Sequence, residues 1–262
     1  MSADRFTIEA GGHHLECAWH GPHPERAPTI VLLHEGLGSV AAWRTFPAEL
    51  VRAAGCGVFV YSRWGYGDSD PRPAPWPLDY MEAEAAIVPA VLDAARVKDC
   101  VLVGHSDGGS IAIMARDPRV RGLALLAPHV FVEDVSVASI AKAKDAFRHT
   151  DLRKRLGKFH GQNVDHAFWG WNRAWLDPAF KSWNIESHLA AITVPTLVIQ
   201  GDADPYGTLA QVDAIERGVR GPFERLVLAG VGHAPWREQP EPTISAINAH
   251  ARVCLVTRGA RT

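Results

Sequence analysis

Short runs of apolar, β-branched residues recur along the chain, and a stretch with helical periodicity follows most of them. The clearest runs are TIVLL at 29–33, VFVY at 58–61, CVLVG at 100–104 and TLVIQ at 196–200. Runs this apolar are typical of strands buried on both faces of a parallel sheet. Their alternation with helices predicts an α/β fold, in which helices cover both faces of a mostly parallel sheet.

Weaker segments extend the pattern. FTIEA at 6–10 and HLECAW at 14–19 precede the first buried run and predict two edge strands, while 120–126 and ERLVLAG at 224–230 predict two more strands. The helices are predicted at 41–54, 80–96 with a kink at Pro89, around 111–115, after Tyr206 and from about Pro240.

The alternation stops at about residue 130 and resumes near 191. Residues 131–190 contain no convincing buried strand, and they carry helix-like pieces with four tryptophans, Trp169, Trp171, Trp175 and Trp183. We therefore predict a helical insertion at 131–190 between two parts of one α/β core, residues 1–130 and residues 191–262.

Length and composition limit the functional classes. A chain of 262 residues can bury one large core without a partner. The formal charge is -2 with no basic cluster, which argues against nucleic-acid binding, and no apolar run approaches the roughly 18 residues of a membrane span. The start MSADRFTIEA offers no export signal, and the four dispersed cysteines form no zinc or redox motif. We expect a cytoplasmic protein, and length and composition leave open whether it is a monomer or a homodimer.

The stretch GHSDGG at 104–109 lies between a predicted strand and a predicted helix. Glycine at 104 and 108 lets the chain turn tightly and lets strand and helix approach, so Ser106 can project above the sheet edge. In this setting Ser106 is predicted to be a nucleophile.

A serine nucleophile needs a base that takes its proton and an acid that orients that base. Asp202 and Asp204 lie in GDADPYG just past the strand at 196–200, and His233 lies in GVGHAPW just past the strand RLVL. Because the carboxyl ends of parallel strands meet at one edge of the sheet, three loops should converge there.

Five pieces in this order, VLLHEGLGS, YSRWGYGDS, GHSDGG, GDAD and GVGH, resemble the α/β-hydrolase superfamily over nearly the whole chain. The resemblance implies an eight-stranded, mostly parallel sheet with a small helical cap inserted after strand 6, and it identifies the insertion at 131–190 with that cap. It implies Ser106 as nucleophile, His233 as base and Asp204 as acid, since the family places its acid three residues after the glycine. No metal and no cofactor are expected.

Acyl transfer also requires two N–H donors for the developing oxyanion. The resemblance nominates the backbones of Asp107 and Gly36, with Leu37 as the alternative to Gly36, because Glu35 stands where the family usually has glycine. Two carboxylates beside an oxyanion site would oppose the chemistry, so the side chains of Asp107 and Glu35 should point away. Asp107 is expected to interact with the helix dipole, and Glu35 to pair with Arg63, with the binding of a cationic substrate as the alternative for Glu35.

Three residues are predicted to contact substrate: Leu37, Trp169 and Trp236. Leu37 and Trp236 lie next to predicted site residues, and Trp169 belongs to the tryptophan-rich insertion. His105 and His34 have a simpler interpretation as hydrogen-bonded core residues. An apolar or aromatic acyl or alcohol group follows as the expected substrate part.

Together these features predict a serine hydrolase, specifically a carboxylesterase that cleaves a small ester through an acyl-enzyme. The serine at 106 argues against haloalkane dehalogenases and epoxide hydrolases, which normally have aspartate there. Thioesterases, lactonases and carbon-carbon bond hydrolases of aromatic breakdown stay open on the same residues. A small-molecule receptor on a hydrolase frame is the alternative from another class.

Overall fold

Eight strands form one sheet in a computed structural model that describes residues 3–256. The order across the sheet is β1-β2-β4-β3-β5-β6-β7-β8. Within residues 3–256, the β1–β2 and β2–β4 pairs of this sheet are antiparallel and its other five strand pairs are parallel, which confirms the mostly parallel sheet. The strands are β1 (Asp4–Ala10), β2 (His13–His20), β3 (Thr29–Leu33), β4 (Gly57–Tyr61), β5 (Cys100–His105), β6 (Val120–Leu126), β7 (Thr196–Gly201) and β8 (Phe223–Leu228).

Helices follow most strands and cover both faces of the sheet. They are α1 (Phe46–Ala54), α2 (Tyr80–Ala94), α3 (Asp107–Met114), α4 (Asp134–His149), α5 (Leu152–His160), α6 (Val164–Trp175), α7 (Leu209–Gly218), α8 (Pro235–Glu238) and α9 (Pro240–Val256). Alternate residues of β3 enter two separate apolar clusters, Val31 and Leu33 on one face and Ile30 and Leu32 on the other. All four side chains are fully buried, as expected of a central strand.

The helix predicted at 41–54 is interrupted. A short 3-10 helix spans Ala41–Trp43, and Arg44 then adopts a φ of 53°, which ends it. Helix α1 begins two residues later with Pro47 in its first turn, where a missing N–H costs nothing, and stops at Gly55 with a φ of 69°. Helix α2, by contrast, runs through Pro89 as one element.

Helices α4, α5 and α6 lie between β6 and β7, together with 3-10 helices at Gly161–Asn163, Pro178–Ser182 and Glu186–Ala191. Phe147 of α4 stacks on Phe168 of α6, with ring centroids 3.7 Å apart, so the insertion has an aromatic interior of its own. The outermost parts of the two predicted core segments, residues 1–2 and 257–262, lie outside the described residues. Within residues 3–256, no helix combines the length and the apolar character needed to cross a membrane.

The parallel strands bring several loops to one edge of the sheet. In the β3–β5 pair Leu33 lies opposite Gly104, and in the β5–β6 pair His105 lies opposite Leu126. The segments that follow β3, β5 and β7 therefore start at the same edge, where ligands bind in open α/β sheets.

Candidate active site

Ser106 lies on the tight turn between β5 and α3, with φ 54° and ψ -119°. A non-glycine residue rarely adopts a positive φ, and such strain is held by its surroundings. An added Cβ at Gly104 would lie 2.2 Å from the carbonyl oxygen of Gly108, and one at Gly108 would lie 2.1 Å from that of Leu33. Both glycines are therefore needed for the close approach of strand and helix that shapes the turn.

The side chains of Ser106, His233 and Asp204 form a continuous hydrogen-bonded chain. His233 Nε2 lies 2.9 Å from Ser106 Oγ, and His233 Nδ1 lies 2.8 Å from Asp204 Oδ2. An ionised carboxylate only accepts hydrogen bonds, so Nδ1 carries the proton and Nε2 is left to accept the serine hydroxyl. This is the arrangement in which a serine can lose its proton to a histidine.

Asp204 is held as an ionised acceptor. Burial alone would raise the pKa of this carboxyl, but the hydrogen bond and charge of His233 and the N–H of Tyr206 bring the pKa below its usual value. Gln200 Nε2 donates at 2.8 Å to Asp204 Oδ2, the oxygen that His233 Nδ1 also contacts, and the Tyr206 N–H donates to Oδ1. The competing acid, Asp202, instead accepts the exposed backbone N–H of Gly230 at 2.7 Å and so stabilises the neighbouring turn.

The loop from Glu35 to Gly38 presents Gly36 beside Ser106. The carbonyl oxygen of Glu35 accepts hydrogen bonds from His34 Nδ1 at 2.7 Å, Arg63 Nη2 at 3.0 Å and the Gly38 N–H at 3.0 Å. Because a trans peptide is planar, fixing this carbonyl fixes the Gly36 N–H to point the opposite way. Among the described residues, neither the N–H of Gly36 nor that of Leu37 donates to a backbone acceptor. Of these two N–H groups, only that of Gly36 belongs to a peptide whose carbonyl is anchored in this way.

The N–H of Asp107 is the other predicted donor, and its peptide is also fixed. The carbonyl of Ser106, in the same peptide plane, accepts the N–H groups of Gly109 at 2.8 Å and Ser110 at 3.1 Å. The Asp107 carboxylate accepts the Tyr80 hydroxyl at 2.5 Å. Burial raises the pKa of Asp107, although the nearby positive charge of Arg63 opposes the rise.

The predicted ion pair between Glu35 and Arg63 is wrong. Arg63 is fully buried behind the loop, where it contacts the backbone of Glu35, and its Nη2 lies 3.9 Å from the Asp107 carboxylate. The Glu35 carboxylate turns the other way and lies 3.3 Å from His105 Nδ1. Burial would raise the pKa of Glu35, but the hydrogen bond and charge of His105 outweigh it and lower the pKa to about 2.

His105 and His34 are hydrogen-bonded core residues. His105 Nε2 donates to the carbonyl of His233 at 2.6 Å, and Trp236 Nε1 lies 3.2 Å from His105 Nδ1. His34 Nε2 accepts the backbone N–H of Arg63 at 3.0 Å. Burial and the charge of Arg63 hold the pKa of His34 well below its usual range, so this ring is neutral.

A cavity of about 110 Å³ opens over Ser106 at the boundary of core and insertion. The residues around it are Glu35, Gly36, Leu37, Ser106, Asp107, His129, Ser136, Ile140, Trp171, Trp175, Tyr206 and His233. Leu37, which is predicted to contact substrate, thus lies on the wall, and Trp171 and Trp175 of the insertion supply its aromatic surface.

Trp169 and Trp236 do not line this cavity among the described residues. Trp169 packs edge-on against Phe147 inside the insertion. Trp236 lies in the apolar cluster on the opposite face of the sheet, with its ring centroid 5.0 Å from that of Trp43. The prediction that both contact substrate therefore finds no support in this cavity. Membership of the tryptophan-rich insertion does not say which way Trp169 faces, and proximity in sequence to His233 does not say on which face of the sheet Trp236 packs.

Three polar residues of the wall were missed: His129, Ser136 and Tyr206. His129 follows β6, just as Ser106 follows β5 and Asp204 follows β7. This position at the end of a strand was the signal in the sequence that could have identified it. Burial, reinforced by the charge of His233, lowers the pKa of His129 to about 3. Within residues 3–256, no group of three His, Cys, Asp or Glu side chains is arranged to hold a metal ion.

Comparisons with known proteins agree with this architecture. A sequence profile of the alpha/beta hydrolase family matches residues 30–246. The serine hydrolase BPHL of Homo sapiens is 26% identical over 186 residues, which are 66% of this chain and 63% of the human protein, less than two thirds of its length. The putative carbamate hydrolase RutD of Variovorax paradoxus (strain S110) is 29% identical over 207 residues, 68% of this chain and 74% of that protein.

Among solved structures, a serine hydrolase involved in carbazole degradation, the CarC enzyme, superposes with a TM-score of 0.76. The superposition covers 96% of this chain and 100% of that one, at 18% sequence identity. At that identity the likeness speaks for the fold alone.

Proposed function

The chain belongs to the α/β-hydrolase family, and from that premise we propose that it is a serine hydrolase that cleaves a small carboxylic ester through an acyl-enzyme intermediate. One observation carries the proposal: Ser106, His233 and Asp204 lie in hydrogen-bonded series, with the serine on a strained turn. A serine that was merely a turn residue would not need an imidazole acceptor for its hydroxyl.

In the first half of the reaction, Ser106 Oγ attacks the ester carbonyl while His233 Nε2 takes its proton. Asp204 then stabilises the positively charged ring and keeps Nδ1 as the protonated nitrogen. The oxyanion accepts hydrogen bonds from the N–H groups of Gly36 and Asp107, whose peptides are fixed in advance, so no reorganisation is required as charge develops.

Collapse of the tetrahedral intermediate expels the alcohol, which takes the proton from His233 Nε2, and leaves the acyl group on Ser106. His233 then removes a proton from water, which attacks the acyl carbonyl. As the second intermediate collapses to the carboxylic acid, His233 Nε2 returns its proton to Ser106 Oγ and restores the free serine. Apart from water, the catalytic groups in these steps are side chains and backbone N–H groups of the chain.

The cavity wall favours an apolar or aromatic substrate part. Leu37, Ile140, Trp171 and Trp175 supply most of its carbon surface, and the volume of about 110 Å³ suits a small group. Thioesterases, lactonases and carbon-carbon bond hydrolases stay alternatives on the same residues.

We infer that residues 131–190 act as a cap that covers the nucleophile, since α4 and α6 contribute Ile140, Trp171 and Trp175 to the wall. The cytoplasmic location, the independence from cofactors and the oligomeric state stay predictions from the sequence.

A substrate panel tests the proposal. Purified protein would be assayed with short-chain and aromatic esters, thioesters, lactones and ring-cleavage diketones. Esters that carry an ammonium group would be included because Asp107 Oδ1 is buried without a hydrogen-bond partner among the described residues. Turnover of the uncharged esters, lost in Ser106→Ala and kept in the exposed Ser182→Ala control, is expected. Preference for a charged ester would contradict the apolar assignment, and binding without turnover would indicate a receptor.

A further inference from the structure

His160, the last residue of α5, connects the insertion to the loop that carries Gly36. Its side chain is buried, with Nε2 3.0 Å from the carbonyl oxygen of Leu37 and Nδ1 3.1 Å from the backbone N–H of Gly67. Both nitrogens of this ring are therefore used, each on a different segment of the core.

These two contacts fix the protonation of the ring. The N–H of Gly67 can only donate, so His160 Nδ1 must be the unprotonated acceptor, and the proton resides on Nε2. Nε2 then donates to the Leu37 carbonyl. Burial lowers the pKa of His160, which agrees with a neutral ring.

The same loop is held from two sides. From the core, His34 and Arg63 fix the carbonyl of Glu35, and from the insertion, His160 fixes the carbonyl of Leu37. Gly36 lies between the two anchored carbonyls.

A second residue of the insertion contacts the loop that carries Gly36. Trp171 of α6 lies so close to Gly36 that an added Cβ would be 2.2 Å from its Nε1. The Leu37 carbonyl shares a peptide plane with the Gly38 N–H, which donates to the Glu35 carbonyl at 3.0 Å. Loss of the anchor at Leu37 is therefore transmitted through this hydrogen bond to the peptide that carries the Gly36 N–H.

We propose that His160 is a positioning residue for the oxyanion hole, which acts by holding the Leu37 carbonyl so that the Gly36 N–H is aimed at the substrate oxyanion. The proposal rests on the proposed function, because it assigns a role within the same site. The insertion thereby supplies, through the His160–Leu37 contact itself, part of the support of the oxyanion hole.

Two conservative variants separate the two contacts of the ring. In His160→Gln the amide nitrogen can occupy the place of Nε2 and keep the bond to Leu37, while the bond from Gly67 is lost. In His160→Asn the amide oxygen can occupy the place of Nδ1 and keep the bond from Gly67, while the bond to Leu37 is lost.

Asn163→Ala provides the matched control for docking of the insertion. Asn163 Nδ2 donates to the carbonyls of Gly67 at 3.1 Å and Ser69 at 2.7 Å, and it makes no bond to the loop of Gly36 within the described residues. The variant weakens the same attachment without touching the carbonyl of Leu37.

The experiment measures kcat and KM of the four proteins on the best ester, with active sites counted by a fluorophosphonate label so that unfolded protein is excluded. Removing an oxyanion donor costs about 10²–10³-fold in kcat. We expect His160→Asn to lose about 10-fold or more in kcat with little change in KM, and His160→Gln and Asn163→Ala to stay within about threefold of wild type.

Equal kcat losses in the Asn and Gln variants, or an equal loss in Asn163→Ala, would overturn the proposal in favour of a docking role. Failure of His160→Asn to fold while His160→Gln folds would do the same, since it would make the Leu37 contact structural. Failure of the proposed function is distinct, because it would show in the wild type as absence of both labelling and turnover.

Discussion

His105 Nε2 lies 2.6 Å from the backbone carbonyl oxygen of His233, so the residue before the nucleophile holds the loop that carries the proposed base. Strand β5 therefore positions two members of the site, Ser106 through the chain and His233 through this hydrogen bond. The second nitrogen of the His105 ring faces Glu35 and the Trp236 indole, which explains why a polar ring is buried here.

His105→Phe keeps the aromatic contacts of this ring and removes its hydrogen bonds. The freed carbonyl of His233 and the unpaired carboxylate of Glu35 should lower the free energy of unfolding by about 1–3 kcal/mol. Displacement of His233 should lower kcat by about 10-fold or more, since a misplaced catalytic group is costly. Urea unfolding and steady-state kinetics on one preparation check both effects, and an unchanged kcat would show that His233 is held by other contacts.

Asp204→Asn and Asp202→Asn form a matched pair, two residues apart on the same loop. An amide at 204 can donate to His233 Nδ1 and so favours the wrong tautomer, which should reduce kcat by about 10⁴-fold. Asp202→Asn retains an oxygen for the Gly230 N–H and should leave kcat within about twofold of wild type. A larger loss at 202 than at 204 would reverse the assignment of the acid.

Gly104→Ala and Gly108→Ala test the tight turn. Each added Cβ would lie within 2.2 Å of a backbone carbonyl oxygen that cannot move aside, so we expect a loss of about 3 kcal/mol or more, or no folded protein. Gly157→Ala is the control, because that glycine lies within α5 with nothing near its Cβ position. It should raise the free energy of unfolding by about 0.5–1 kcal/mol in chemical denaturation.

The sequence predicts the mostly parallel sheet well, because strands such as β3 and β5 are apolar throughout. Strands of this composition are typical of the buried centre of a parallel sheet. It also predicts which residues meet at the sheet edge, since Ser106, Asp204 and His233 each follow a strand and parallel strands end together. Backbone topology alone brings these loops together, whereas the choice of Asp204 over Asp202 rests on the resemblance to the family.

Side-chain direction could not be predicted in the same way. Trp171 and Trp175 reach the cavity while Trp169 does not, because successive positions of a helix face different ways and only the packed insertion decides which face is inward. For Arg63, charge suggested the carboxylate of Glu35, but the guanidinium is buried on the side of the loop that presents carbonyl oxygens.

Glu35 should contribute to stability in a defined pH range. Its folded pKa of about 2 lies below its ordinary value of 4.5, so its contribution is complete above pH 4.5 and is lost as the pH falls through 2. Between pH 6 and pH 3, wild type should therefore lose about 2 kcal/mol more of its free energy of unfolding than Glu35→Gln, which cannot titrate. Parallel losses in the two proteins would mean that His105 does not stabilise the ionised carboxylate.

The central claim is that Ser106 is the nucleophile. The most direct measurement is treatment of the wild-type protein with a fluorophosphonate, followed by proteolysis and mass spectrometry of the labelled peptide. The structure predicts one phosphonyl group on Ser106, stoichiometric inactivation, and no labelling of Ser106→Ala. Labelling at another residue, or full ester hydrolysis by Ser106→Ala, would contradict it.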